Sequence, residues 1–545
     1  MNAPRALAFA AAALWVSLAG AALAWAARAE APGSAAEDAT TVARLVDKKL
    51  AAAWEAAGVE PAARATDAEF LRRAYLDFTG VTPRVSEARA FLDDPSETKR
   101  SQLVERLLES PRYATHMATT WRNRILPLGV DSARSREALG LQKWLRQRFA
   151  ENLRYDRMVG GLLLASGDNE VGPALYFQAN DVSPEKLAGS AAELFMGVDL
   201  HCAQCHDHPY AEWSQRDFWG LAAFFARTRA ADDQTVDPRA MSYRLVDLDR
   251  GEVTLPESDE VVPPRFPLAH AEADRSLGEV AAPATDDQWQ SRRSQLVVWL
   301  TSRDNEFFAR ATVNAAWLHL FGQPLVETIR PPTGEGATPE REALDLLAAS
   351  LVESDIDIRQ LWRTLAAPRA YQLSSQGGAL GARAKHFARM QPKPLTPEQL
   401  YDSFRLLAPG GLAEGGASGP SEALSLDEDP RRVEFVRLMR TPGGAPTEYR
   451  AGTMQALALM NGVFTAETSG ERTSSLLGAL EAPYMTDQER IDAMMLATLT
   501  RPADAAERAA LAAMLGQCTT PAERREALSD LLWALLNSTE FAFNH

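Results

Sequence analysis

A mainly α protein of two helical domains, joined by an acidic Pro-containing segment with a short β-hairpin, is what the pattern of these 545 residues specifies. Three observations carry that expectation. Helix-start signals recur: Thr66 with Glu69, Thr396 with Gln399, Thr486 with Glu489 and Thr520 with Glu523 fit the T-x-x-E/Q capping box. In such a box a hydroxyl and an acid or amide satisfy backbone N–H groups that the first helical turn leaves unpaired. Apolar residues recur at helical spacing, as in Phe70, Ala74 and Phe78, in Leu103, Leu107 and Leu108, and in Leu344, Leu347 and Leu351. Strand signal is confined to Tyr243 and Leu245, an Asp249-Arg250-Gly251 turn, then Val253 and Leu255.

Taken in order, the chain opens with Arg5 as the sole charge among its first 27 residues. Residues 6–27 are apolar apart from Ser17 and Gly20, and Ala27-Arg28-Ala29 offers a small-residue cleavage site. This is the pattern of a secretory signal over residues 1–29, and it places the rest in an extracytoplasmic compartment, periplasmic or secreted. The alternative is an uncleaved membrane anchor, since 22 mostly apolar residues can span a bilayer. The weak apolarity of Ala favours cleavage. Residues 30–40 read as a flexible leader, and residues 42–228 as the first helical domain. Gly80 and Gly322 stand where left-handed residues end helices. Thr338-Pro339, Thr396-Pro397 and Thr520-Pro521 put Pro at the first helical position, where its missing N–H costs nothing. The linker, residues 229–288, is acidic and holds Pro238, Pro256, Pro263, Pro264 and Pro267. The second domain covers residues 289–545, with a Gly/Ala/Ser-rich loop expected at 409–422.

Lys plus Arg number 57 against 73 Asp plus Glu, a formal net charge of −16. An acidic surface repels phosphate backbones, so no nucleic-acid partner is expected. Three cysteines cannot build a disulfide framework.

The chemistry is concentrated in His201-Cys202-Ala203-Gln204-Cys205-His206-Asp207-His208-Pro209. The C-x-x-C-H spacing suits covalent haem: two thiols add to the vinyl groups, and the next residue, His206, supplies the axial imidazole. The export signal agrees, because haem c is attached outside the cytoplasm. Zinc is the alternative cofactor, since His201, Cys202, Cys205, His206 and His208 include enough S and N donors, although no second cysteine pair exists. A plain Cys202–Cys205 disulfide is the third reading. Cys518 has no neighbouring ligand and reads as inert. His208 is too close to His206 to reach the opposite haem face, so a distal ligand would come from elsewhere; His116, Met196, His201 and His319 are the candidates in kind. Asp207 could orient an imidazole, and Trp213, Phe218, Trp219, Phe224 and Phe225 could wall a porphyrin or simply fill a core.

The stretch Leu194–Ala226, with Cys202 to Pro209 and Asp217-Phe218-Trp219-Gly220-Leu221-Ala222-Ala223-Phe224-Phe225, resembles the planctomycete cytochrome-like DUF1549 (PSCyt2) family. So do Phe70-Leu71-Arg72-Arg73-Ala74-Tyr75-Leu76-Asp77 with Thr79-Gly80, and Ser110-Pro111-Arg112-Tyr113. The second half is similar to the DUF1553 (PSD1) family, through Phe308 to Asn314, Trp317, His319, Phe321-Gly322, Tyr371 to Ser375, Met460-Asn461-Gly462 and the terminal Asn537-Ser538 to His545. The resemblance implies an exported protein, often accompanied by cytochrome-c-like domains and encoded near sulfatase-like proteins. It implies no defined activity. Met117 follows His116 where a Trp is expected, the first being Trp121. Thr447-Glu448-Tyr449-Arg450-Ala451-Gly452-Thr453 replaces an acidic, Cys-containing stretch, so any site those cysteines form is missing here.

Three functions follow as expectations. One is a c-type haem protein passing single electrons to a redox partner, with the haem edge at the surface. Another is an extracytoplasmic enzyme, either peroxidase-like or a metal-assisted hydrolase of polysaccharides, with Arg310, Asn314 and His319 in a pocket close to His206. The third is an interaction scaffold with an oxidised C-x-x-C. A sulfatase-like neighbour is a further candidate partner, and a membrane partner follows only if the N-terminal segment stays uncleaved. No nucleophile elbow, phosphate-binding glycine loop or H-E-x-x-H motif occurs.

Overall fold

The computed structural model describes residues 32–126, 135–166, 171–208, 211, 213–231, 244–267, 291–330, 336–377, 381–408, 429–440 and 452–545. The signal segment, Tyr243, part of the linker and the loop expected at 409–422 lie outside them.

The first half runs α1 (Pro32–Ala56), α2 (Asp67–Thr79), α3 (Val85–Leu92), α4 (Lys99–Glu109), α5 (Pro111–Ile125), α6 (Ser135–Ala150), α7 (Tyr155–Leu163), α8 (Val171–Ala179), α9 (Pro184–Ala191) and α10 (Gln215–Ala222). Between α9 and α10 lie a π-turn (Ala192–Met196) and a 3₁₀ turn (His201–Gln204). The second half continues with α11 (Arg292–Leu300), α12 (Phe308–Phe321), α13 (Pro339–Glu353), α14 (Ile358–Ala366), α15 (Gly381–Lys385) and α16 (Pro397–Leu407). It ends with α17 (Pro430–Met439), α18 (Thr453–Asn461), α19 (Val463–Ser469), α20 (Ser475–Leu480), α21 (Asp487–Leu499), α22 (Ala505–Gly516), α23 (Pro521–Leu536) and α24 (Thr539–Ala542). The protein is mainly α, with short two-stranded sheets. No helix among the described residues is long and apolar enough to cross a membrane.

Local signals set most helix starts. Thr396, Thr486 and Thr520 are N-caps in reciprocal capping boxes with Gln399, Glu489 and Glu523. Thr66 caps α2 by accepting from the Glu69 N–H, but the Glu69 carboxylate turns inward to Arg73, Ser374 and the Ser375 N–H. Tertiary partners thus claim half of that box. Gly80 and Gly322 end α2 and α12 in the left-handed conformation, at φ 72° and 75°.

Two expectations differ from the structure. Helix α1 begins at Pro32, so the leader expected over residues 30–40 is mostly helix. Pro in the first turn and an Ala-rich sequence favour helix, and Ala39, Ala43, Val46 and Leu50 form its buried stripe. The strand segments flanking the Asp249-Arg250-Gly251 turn do not pair with each other. Instead β2 (Leu245–Asp247) pairs with β1 (Thr228–Ala230), and β3 (Val253–Thr254) pairs with β4 (Val261–Val262). The second pair turns at Pro256-Glu257-Ser258-Asp259, with Glu257 at φ 58°. Gly251, at φ 135°, passes so close to the turn between α10 and β1 that a Cβ there would lie 2.5 Å from the Ala226 carbonyl oxygen.

Apolar packing joins the two sequence halves. One core runs from Val46 to Met390 and includes Leu496, with α1 seated on α13 and α14. A second core is built from Leu395 to Phe541 and takes in Leu76 of α2.

Candidate functional site

The C-x-x-C-H segment is a short excursion between α9 and α10. The π-turn after α9 stops at Gly197, whose φ of 65° and close approach to Ile329 leave no room for a side chain. The chain then tightens into the 3₁₀ turn, where positions three apart lie above one another. Cys202, Cys205 and His206 are exposed, both thiols are free, and Ala203 between them is fully buried. The turn therefore presents both sulfurs to solvent while its back packs on the core.

Helix α10 fixes this loop. Gln215 Nε2 donates to the Cys205 carbonyl at 3.0 Å, and Trp219 Nε1 donates to the Gln204 carbonyl at 3.0 Å. The Gln215 N–H donates to Asp207 Oδ1 at 2.8 Å, and the His208 N–H donates to the Trp213 carbonyl at 2.8 Å. Ser214 and Asp217 close a capping box at the helix start. His206 Nδ1 lies 2.8 Å from the Asp207 carbonyl oxygen. A carbonyl only accepts, so Nδ1 carries the proton and the neutral ring keeps its lone pair on Nε2.

The neighbouring candidates have other contacts. His201 Nδ1 meets Asp199 Oδ1 at 2.8 Å, and its ring lies over the bare backbone of Gly189. The backbone N–H and ring of His201, with the charge of His208, hold the Asp199 carboxyl below its ordinary value. Met196 is a core residue, 1% exposed. His116 and His319 face each other, ring centroids 5.7 Å apart, in a separate polar junction. Trp213, Phe218, Trp219, Phe224 and Phe225 are all buried; Trp213 and Trp219 hold the loop by hydrogen bonds, while Phe224 and Phe225 pack on Phe266 and Phe177. Cys518 is a free thiol whose sulfur faces the Met514 carbonyl within its own helix turn.

Two free exposed thiols three residues apart, followed by an imidazole whose Nε2 has no hydrogen-bond partner among the described residues, match the donor set that covalent haem uses. The residues present fit that group. No group of three or more His, Cys, Asp or Glu among the described residues is disposed to hold a metal ion, so a tetrahedral zinc set is not assembled there.

The junction around His116 and His319 was not legible as a unit in the sequence. Asp77 on α2 accepts from Lys393 Nζ and Asn544 Nδ2 at Oδ1, both at 2.7 Å, and from the Tyr371 hydroxyl at Oδ2, at 2.9 Å. Its main-chain oxygen accepts from His319 Nε2 at 2.8 Å. Lys393 Nζ also donates to the His319 and Leu320 carbonyls, which completes its three hydrogen bonds. Gly80 makes room for His116: a Cβ there would lie 2.4 Å from His116 Nδ1. Burial, then the charge of His319 and that of Lys393, push the His116 imidazole down to about 3. Burial and Lys393 lower His319 as well. Within the sequence, Asp77 stands out as an acid inside the otherwise apolar run Tyr75-Leu76-Asp77-Phe78.

The proposed pocket residues are committed elsewhere. Arg310 pairs with Asp345 and the Glu306 carbonyl, Asn314 bridges both main-chain groups of Val326, and His319 is held by Asp77.

Residues 45–230 match the PSCyt2 family model, described as a protein of unknown function (DUF1549), and residues 292–437 match PSD1, likewise of unknown function (DUF1553). No curated protein and no solved structure matches the chain. The motifs around Asp77, His206, His319 and Tyr371 are thus parts of two successive domains, a PSCyt2 (DUF1549) domain over residues 45–230 and a PSD1 (DUF1553) domain over residues 292–437.

Proposed function

We propose that this chain is an exported c-type haem protein that passes single electrons to a redox partner outside the cytoplasm. The observation that carries the reading is the joint exposure of Cys202, Cys205 and His206, with the His206 Nδ1 occupied by a carbonyl and Nε2 left as the ligand atom. Cys202 and Cys205 would hold haem by thioether bonds: each S–H adds across a vinyl group, the sulfur to one carbon and the hydrogen to the other. No external oxidant is needed. When bound, the haem supplies a one-electron iron couple. The protein's part is to hold His206 in register with the two thiols and to leave that edge open to a partner. A net charge of −16 suits a partner with a basic docking face.

Export in a host carrying cytochrome c maturation proteins, followed by intact-mass measurement, tests the reading. One covalently added haem is expected, absent from Cys202→Ala/Cys205→Ala. A mass equal to that of the bare polypeptide contradicts it.

A further inference from the structure

The loop bearing His206 is pinned by hydrogen bonds on both sides of the imidazole. Upstream, Gln215 and Trp219 hold the carbonyls of Cys205 and Gln204. Downstream, Asp207 Oδ1 is seated on the Gln215 N–H, and the His208 N–H is tied to Trp213. Gln215 is the first residue of α10, and its N–H is one that a helix cannot satisfy internally. A carboxylate at that position is stabilised by the unpaired N–H groups and the positive end of the helix. Asp207 therefore has a local reason to stay where it is.

We infer that Asp207 and Gln215 are positioning residues for His206: their bond fixes the Asp207 carbonyl so that His206 holds its proton on Nδ1 and presents Nε2 outward. This rests on the haem reading for its purpose, while its geometry stands alone. The bond it protects joins adjacent residues, His206 and Asp207, so the direction of the Asp207 carbonyl, together with the His206 ring torsions, decides whether it forms. If residue 207 turned freely, the exposed ring would exchange tautomers in solvent and lose its fixed orientation. A held Nδ1–H also makes Nε2 a better donor to a metal.

The test is selective ¹⁵N-histidine labelling of the haem-free protein, with the His206 signals assigned by their loss in His206→Gln, above the pH at which imidazole protonates. The Nδ1–H tautomer should predominate in the native protein and become the minor form in Asp207→Ala and in Gln215→Pro, which lacks the N–H that Asp207 accepts from and is tolerated at the first helical position. Asp207→Asn keeps the oxygen acceptor and should restore the native pattern. A native protein with the proton on Nε2, or Asp207→Ala and Gln215→Pro with unchanged tautomer, overturns the inference. In haem-loaded protein, Asp207→Ala and Gln215→Pro should show a more positive midpoint potential than Asp207→Asn. Protein that never takes up haem but shows the tautomer change refutes the haem reading and leaves the positioning intact. Haem uptake with an unmoved tautomer refutes the positioning alone.

Discussion

Asp77 and Lys393 stand 316 positions apart in the chain and meet at 2.7 Å, with the carboxylate side chain only 2% exposed. Each has all its charged atoms engaged: the carboxylate also receives Tyr371 and Asn544, and the ammonium reaches two carbonyls at the end of α12. Removing one partner of such a pair leaves an uncompensated buried charge. Lys393→Met should therefore cost about 3–5 kcal/mol in urea unfolding. Asp77→Asn/Lys393→Met should cost less than the sum of the single changes, because the second removes the stranded charge.

Gly80 and His116 make a second coupled pair. Gly80→Ala introduces a Cβ into the space of the His116 ring at a left-handed φ of 72°. The backbone part costs about 1 kcal/mol, and the clash adds to it. In thermal unfolding, Gly80→Ala should be less destabilising in a His116→Ala background, although the backbone part remains. Strict additivity would show that the ring moves aside freely.

Acid should weaken the fold from near neutrality downward. An unfolded histidine titrates near 6.5, whereas burial and nearby positive charge hold folded His116 down at about 3 and lower His319 too. Between those values the unfolded chain binds protons that the folded one does not, so stability falls as pH falls. Each site contributes at most about 1.4 kcal/mol per pH unit. Burial alone would raise Glu398, but Arg440, Arg432 and Arg122 outweigh it and hold it at about 2. Its contribution is complete above the ordinary carboxylate range and is lost as pH drops through about 2. Unfolding midpoints measured from pH 7 to 3 should decline less steeply in His116→Gln than in the native protein.

The C-terminal segment is held by the first half. Arg72, fully buried, donates to the carbonyls of Thr498, Glu540, Phe541 and Phe543, while β6 (Phe543–Asn544) pairs with β5 (Lys393–Pro394). Arg72→Met strands these carbonyls and should cost about 3 kcal/mol or more. Limited proteolysis should then cut after α23 faster than in the native protein. An unchanged cleavage rate would mean that the apolar seat of Phe541 is sufficient.

How much of this the sequence disclosed follows from distance along the chain. Caps at Thr396, Thr486 and Thr520 were readable because donor and acceptor lie three residues apart. Thr66 with Glu69 has the same spelling, yet Arg73 and Ser374 take the carboxylate, and Ser374 lies 305 residues away. Strands β1 and β2 pair across 19 residues, while the nearer turn at Gly251 merely redirects the chain. Cys202, Cys205 and His206 stood out because their spacing is itself chemistry. The Asp77 junction did not, because six segments must fold before His116, His319, Tyr371, Lys393 and Asn544 become neighbours.

Covalent haem at Cys202 and Cys205 is the claim on which the functional account turns. Protein exported from a maturation-competent host should keep its colour through acid–acetone extraction, and its alkaline pyridine spectrum should show the band position of a haem with two saturated thioether side chains. Haem that is extracted by acid–acetone, or protein that is colourless throughout, would contradict the account.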